Sequence, residues 1–332
     1  MARSSPDAEV SETSLALLTD LPAFHELPQF EGRADRHSWD VYGPDDNLGT
    51  LNNLTPERVA YAAGEVVSGE RVGLQLPPEL PDPPLYGRRP LAHEIMQTGR
   101  NNWDDRLDCY YPQRATQWDG FRHVRFREFG FYGGVTQDPP EMGDRLSVHH
   151  WASQGIIGRG VLLDVAGYLE RTEGAVDAFQ ERAVTADELL AVAADQAVEV
   201  RPGDVLCIRT GWAARYKTAP GHQRAAFAEA GGRPAFIGLS AAEASAALLW
   251  DWHVSALAAD NPAVESAPGN PSVGSLHRRA LVQLGIPLGE LFDFDDLADR
   301  CSRDGRWSFL FVSTPLAIAG GVGSPASPVA IR

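Results

Sequence analysis

A chain of 332 residues with 43% hydrophobic residues, 32 glycines and 24 prolines holds enough apolar material for a large core, which excludes disorder as its main state. Asp and Glu number 45 against 29 Lys and Arg, a formal net charge of -16 that repels phosphate backbones and anionic lipid and argues against nucleic acid or a membrane as partner. Cys109, Cys207 and Cys301 form no CxxC pair. Neither a zinc knuckle nor a disulfide framework is expected, and without a secretory start or a long apolar run the chain reads as soluble and cytoplasmic.

In chain order, residues 1–20 are polar and read as a mobile arm or an oligomer contact, leaving 21–332 as a single α/β domain. Thr55 is placed to cap a helix that starts at Pro56 and runs to Val66. Residues 77–115, rich in Pro, Arg, Asp and aromatics, predict long ordered loops over a site. The Gly-bounded apolar runs at 158–165 and 203–212 predict buried strands, and Thr185-Ala-Asp-Glu188 between them is a capping box opening a helix. Ser240-Ala-Ala-Glu243 repeats that signal for a helix reaching Trp252. A strand at 254–260, a helix at 276–284 and a closing strand at 307–318 follow, and the glycines of GGVGSPASP predict unusual backbone torsions.

The densest group of catalytic residue types lies between Gln113 and His123. On an extended strand Gln113, Gln117, Asp119 and His123 would share one face, because their numbers differ by even steps. A second group is His277 with Glu290, just beyond the turn at 285–289. By pattern alone both groups also fit ordinary turn contacts, a helix-face histidine and a solvated carboxylate. His25, His37, His93 and His222 sit in polar surroundings, His149 and His150 read as a helix or turn pair, and His253 reads as a helix C-terminal cation. Turn and capping roles suit Asp45, Asp46, Asn47, Arg122, Asp260, Asn261 and Ser324, while Trp39, Trp103, Trp118, Phe121, Phe131 and Tyr132 are candidates for an aromatic pocket. With no GxGxxG, GxxxxGK[ST] or GxSxG, no nucleotide cofactor and no serine nucleophile are expected.

Six collinear stretches carry a family resemblance: WDVYGPDDNLGTLNNLTPE, QWDGFRHV, GIIGRGVLLDV, RPGDVLCIRTGW, LHRRALVQLGIPLGELFDFDDLA and RWSFLFVSTPLAIAGGVGSPASPVAI. From about residue 37 onward the chain resembles the cyclase family that includes bacterial kynurenine formamidases and isatin hydrolases, in particular its larger-chain fungal and actinobacterial branch. The resemblance implies an α/β fold with a mixed, curved sheet or barrel-like core flanked by helices. In the family motif HxGTHxDxPxH two histidines and the aspartate bind divalent metal and the last histidine serves acid–base catalysis. Here Gln113 and Gln117 stand at the two histidine ligands, Asp119 at the aspartate and His123 at the last histidine. The family's downstream histidine and glutamate correspond to His277 and Glu290 with one extra residue between them.

What the resemblance therefore implies is one divalent metal, manganese, zinc or magnesium, held by Asp119, His277 and Glu290 with Gln117 as an amide donor. His123, oriented by Asp119, would act as general base, and Gln113, Gln117, Trp118, Phe121, Arg122 and Tyr132 would contact a small substrate. The implied reaction is metal-assisted attack of water on an amide or lactone carbonyl of an aromatic or cyclic compound, as in secondary metabolism, by a homodimer or homotetramer. Two alternatives stay open: a metal-independent cyclase, dehydratase or isomerase of a polyketide-like substrate, and a non-catalytic binding protein on the same fold.

Overall fold

The computed structural model describes residues 21–229 and 234–332, so the expected N-terminal arm lies outside the described residues. Thirteen strands run in chain order as β1 (Arg71–Gly73), β2 (Ala92–Gly99), β3 (Asn102–Asp108), β4 (Gln117–Asp119), β5 (Ile156–Asp164), β6 (Arg182–Val184), β7 (Val205–Arg209), β8 (Ile237–Leu239), β9 (Ala256–Ala259), β10 (Leu288–Glu290), β11 (Ser308–Ser313), β12 (Gly323–Pro325) and β13 (Val329–Ile331) among the described residues. Nine of them form one curled mixed sheet, a half-barrel flanked by helices, ordered β1-β13-β11-β5-β7-β9-β10-β4-β12. Its centre, β5-β7-β9-β10, is parallel and almost wholly buried. A strand covered on both faces reads as a continuous apolar run, which is why β5, β7 and β9 were legible. Antiparallel pairs complete both flanks.

Local signals hold where a side chain can meet the orphan amides of a helix start. Thr55 accepts from Arg58 N at 3.4 Å and opens the helix Pro56–Ala62, which tightens into a 3₁₀ turn ending at Glu65. The Thr185 and Glu188 box forms in both directions, at 3.2 and 2.7 Å. At the second box the outcome differs: Ser240 Oγ accepts from Ala242 N, and the helix Glu243–Asp251 begins without a side-chain cap. The expected helix at 276–284 is a π-helical segment, Arg278–Leu284. β11 stops earlier than expected because Pro315 has no amide for the ladder. His253 is half-buried at φ 53° with its pKa depressed by burial, so it is not the expected helix-end cation. Within GGVGSPASP Gly320 and Ser327 take positive φ, 73° and 44°.

The largest departure is in 77–115, where β2 and β3 pair as an antiparallel hairpin exposed on both faces. The rest of that segment is tied down from below. Buried Arg114 donates to the carbonyls of Pro78, Glu79 and Arg89 at 2.9 to 3.0 Å, and Tyr216 donates to that of Asp82 at 3.0 Å.

Register brings the site together. β4 lies between β10 and β12, with Glu290 opposite Gln117 and Gly323 opposite Asp119. Gly289 faces Trp118, and a Cβ there would lie 2.7 Å from Phe292 and 2.8 Å from Trp118, so only glycine lets β10 approach this closely. Gly285, at φ 64°, ends the π-helical segment and turns the chain into β10; its carbonyl accepts from Thr50 N at 2.8 Å.

Candidate active site

Asp119 ends β4 with its side chain 1% exposed. The strand covers only Gln117–Asp119, so the expected four-residue strand face does not exist. Gln113 and His123 reach the same spot from the turns on either side: Gln113 Nε2 donates to Asp119 Oδ1 at 2.5 Å and to His123 Nδ1 at 2.9 Å. His123 Nε2 then lies 3.6 Å from Asp119 Oδ2. From the other end of the chain, His277 Nε2 comes to 3.8 Å from Asp119 Oδ2 and 3.0 Å from Glu290 Oε1. Gln117 Nε2 donates to Glu290 Oε2 at 2.5 Å. Asp119, His123, His277 and Glu290, split between two distant stretches, are thus brought together.

Glu265, which no motif marked, holds His277 from behind. Its Oε1 lies 2.8 Å from His277 Nδ1 and accepts from Ser275 Oγ at 3.0 Å, while Oε2 accepts from Leu276 N at 2.6 Å. This is the outer-shell carboxylate that fixes a histidine with its Nδ1 proton outward and aims its Nε2 at the site. Only its closeness in sequence to His277 could have hinted at it.

Charges follow from this packing. Burial opposes ionisation of Asp119, yet His123, His277 and the Gln113 amide outweigh it and hold the carboxyl below its ordinary range. Burial, reinforced by the charge of Asp119, pushes Glu290 up to about 7. His277 is also desolvated, but Asp119, Glu265 and Glu290 raise it well above 6.5. His123 goes the other way: burial, with the charges of His277 and Arg88, outweighs Asp119 and lowers it. A neutral His123 whose Nδ1 accepts from Gln113 carries its proton on Nε2, facing the site. Flipping the amide would set its oxygen against the Asp119 carboxylate, so this tautomer is fixed by two contacts at once.

Asp119, His123 and His277 each offer one ligand atom, and the three atoms lie within 4.8 Å of one another. Asp119 Oδ2 and Gln117 Oε1 are buried without a hydrogen-bond partner. Orphaned acceptors beside an imidazole held by an outer carboxylate suit a divalent cation of the zinc or manganese kind, which the residues present therefore fit. His277 is protonated in the absence of a cation and would present a lone pair at Nε2 once a cation displaced that proton, whereas the Gln113 contact turns an N–H of His123 inward. The two histidines are therefore not equivalent as donors.

Four expected substrate contacts turn away from the site. Trp118 is fully buried and donates to Ser313 Oγ at 2.8 Å. Phe121 is packed edge-on against Trp151 and beside Tyr132, whose hydroxyl donates to Asp46 at 3.1 Å. Arg122 is buried and spends its guanidinium on the carbonyls of Pro139, Gly143, Arg145 and Gly320. Trp39 donates to Val282 O, and Trp103 is exposed on the hairpin. Asp46, Asn47, Asp260, Asn261 and Ser324 serve turns, as expected: Asp260, for example, gathers Thr210 N, Thr210 Oγ1 and Gly211 N.

Comparison with known proteins agrees with this arrangement. The family described as "Putative cyclase" matches residues 78–266. A crystal structure of a novel cyclase is 28% identical with a TM-score of 0.78, covering 89% of this chain and 99% of its own. Isatin hydrolase A from Labrenzia aggregata, bound to benzyl benzoate, is 16% identical with a TM-score of 0.58, covering 85% of this chain and 98% of its own. Isatin hydrolase A from Ralstonia solanacearum is 17% identical with a TM-score of 0.54, covering 82% and 94%. These two share the fold. Among curated protein sequences none matches this chain. With more than half of its length matched, the chain belongs to the cyclase family.

Proposed function

We propose that the protein is a hydrolase that directs water onto an amide or lactone carbonyl of a small cyclic or aromatic substrate with the help of one divalent metal ion. The observation that carries this reading is Asp119 Oδ2: buried, without a hydrogen-bond partner, and facing two imidazole nitrogens at 3.6 and 3.8 Å. Isatin hydrolases on the same fold support the hydrolytic direction.

Asp119 and His277 would hold the cation, with the amide oxygen of Gln117 available beside them. When bound, a cation in this position polarises a carbonyl and acidifies water. Glu290, with a carboxyl pushed up to about 7, has the basicity to take a proton from water near neutral pH. His123 holds a proton at Nε2 and would donate a hydrogen bond to the carbonyl oxygen as charge develops on it, while the proton taken up by Glu290 would pass to the departing nitrogen or oxygen. This revises the role implied by the resemblance, in which His123 was the base and Glu290 a ligand. Gln113 keeps the His123 ring in its donor tautomer and Glu265 keeps His277 in its acceptor tautomer.

The test is turnover of a panel of aryl amides and lactones by protein purified without chelator, then stripped, then reloaded. Activity is expected to vanish on stripping and return with zinc or manganese. Full activity in the stripped protein would remove the metal from the proposal, and no turnover of any member would leave the metal-independent cyclase or isomerase and the binding-protein readings standing.

A further inference from the structure

Three carboxylates, Asp119, Glu265 and Glu290, crowd the site of a chain with net charge -16, so an anion approaching it is repelled unless a fixed cation offsets them. His277 supplies one such charge from within the carboxylate cluster, and Arg88 supplies another that no carboxylate engages. Arg88 is partly buried, and among the described residues its guanidinium forms no hydrogen bond or ion pair; it lies over the face of Tyr86, 5.4 Å from the ring centroid. Its charge reaches the catalytic groups, lowering both His123 and Glu290.

The backbone holds this arginine in place rather than leaving it to wander. Tyr86 and Gly87 both take positive φ, 59° and 69°, and Arg88 N closes the turn on Leu85 O at 3.3 Å. A bulky residue in the left-handed region is costly unless the surroundings impose it. Arg114, next to Gln113, supplies that constraint through its carbonyl contacts on both sides of the turn. Tyr86 and Glu265 also line a cavity of about 370 Å³, bordered by Phe236, Ser266 and Arg278, with room for a single-ring molecule.

Resting on the hydrolase reading, we propose that Arg88 recognises an anionic group of the substrate, so that the natural substrate is a small carboxylate-bearing ring compound rather than a neutral one. A neutral substrate needs no arginine kept free of acid partners within reach of Glu290 and His123. Arginine also suits a carboxylate through its paired, parallel donors, which lysine lacks.

Calorimetric titration of the metal-loaded protein with benzoate and with benzamide tests this without any need for turnover. Wild type is expected to prefer benzoate, and Arg88→Ala to lose about 10- to 100-fold of benzoate affinity, the range for a hydrogen bond to a charged group, with a much smaller loss for benzamide. Arg88→Lys should fall between them. Equal losses for both probes, no preference in wild type, or a benzoate loss confined to Arg278→Ala would overturn the proposal. A benzoate preference lost in Arg88→Ala in a protein that hydrolyses no amide or lactone would uphold the proposal and remove the hydrolase reading alone.

Discussion

Replacing His277 by Gln is expected to weaken zinc or manganese binding by more than the roughly 10- to 100-fold that loss of an outer-shell partner costs, because a direct ligand is removed. The same imidazole lies beside Asp119, Glu265 and Glu290, so His277→Ala should also destabilise the metal-free fold by about 3–5 kcal/mol, the cost of stranding buried charges. The sign with pH follows from the raised pKa. Stability contributed by His277 is complete below 6.5 and lost as pH rises through the higher folded value, so metal-free wild type should weaken on the alkaline side. His277→Gln should lack that dependence. Titration calorimetry and thermal unfolding across pH measure both effects; a glutamine variant that binds metal like wild type would contradict the ligand assignment.

His123→Ala is expected to lower kcat/KM by about 10²- to 10³-fold, the usual contribution of a positioned donor to developing negative charge, while metal affinity stays within a few-fold of wild type. The acid limb of the profile should remain in this variant. It belongs to Glu290, pushed up to about 7 by burial and by Asp119, and activity should fall as pH drops through that value or below it once a bound cation pulls it down. Loss of metal together with activity would make His123 a ligand. Disappearance of the acid limb with His123 would return the base role to it.

Much of this arrangement could be read from residues alone. β5, β7 and β9 announced themselves as apolar runs because both of their faces are covered, and Thr185 with Glu188 because a capping box is a local bond. The meeting of Asp119 and His123 with His277 and Glu290 was legible through family resemblance. It was not legible through spacing: the even-number argument failed, since Gln113 and His123 sit on turns and not on β4. The β2–β3 hairpin was missed for a physical reason, as a ribbon exposed on both faces has no inside to impose alternation. Glu265 and Arg88 were missed because their importance lies in what the fold sets beside them. Trp118, Phe121, Arg122 and Tyr132 looked like pocket residues by type, yet each is buried and packed or bonded within the protein.

The most direct measurement is anomalous diffraction from crystals grown with manganese or zinc. One strong peak bonded to both Asp119 Oδ2 and His277 Nε2, with the His123 ring unligated, is the predicted result. No peak at that position in protein that still turns over substrate would contradict the account at its root.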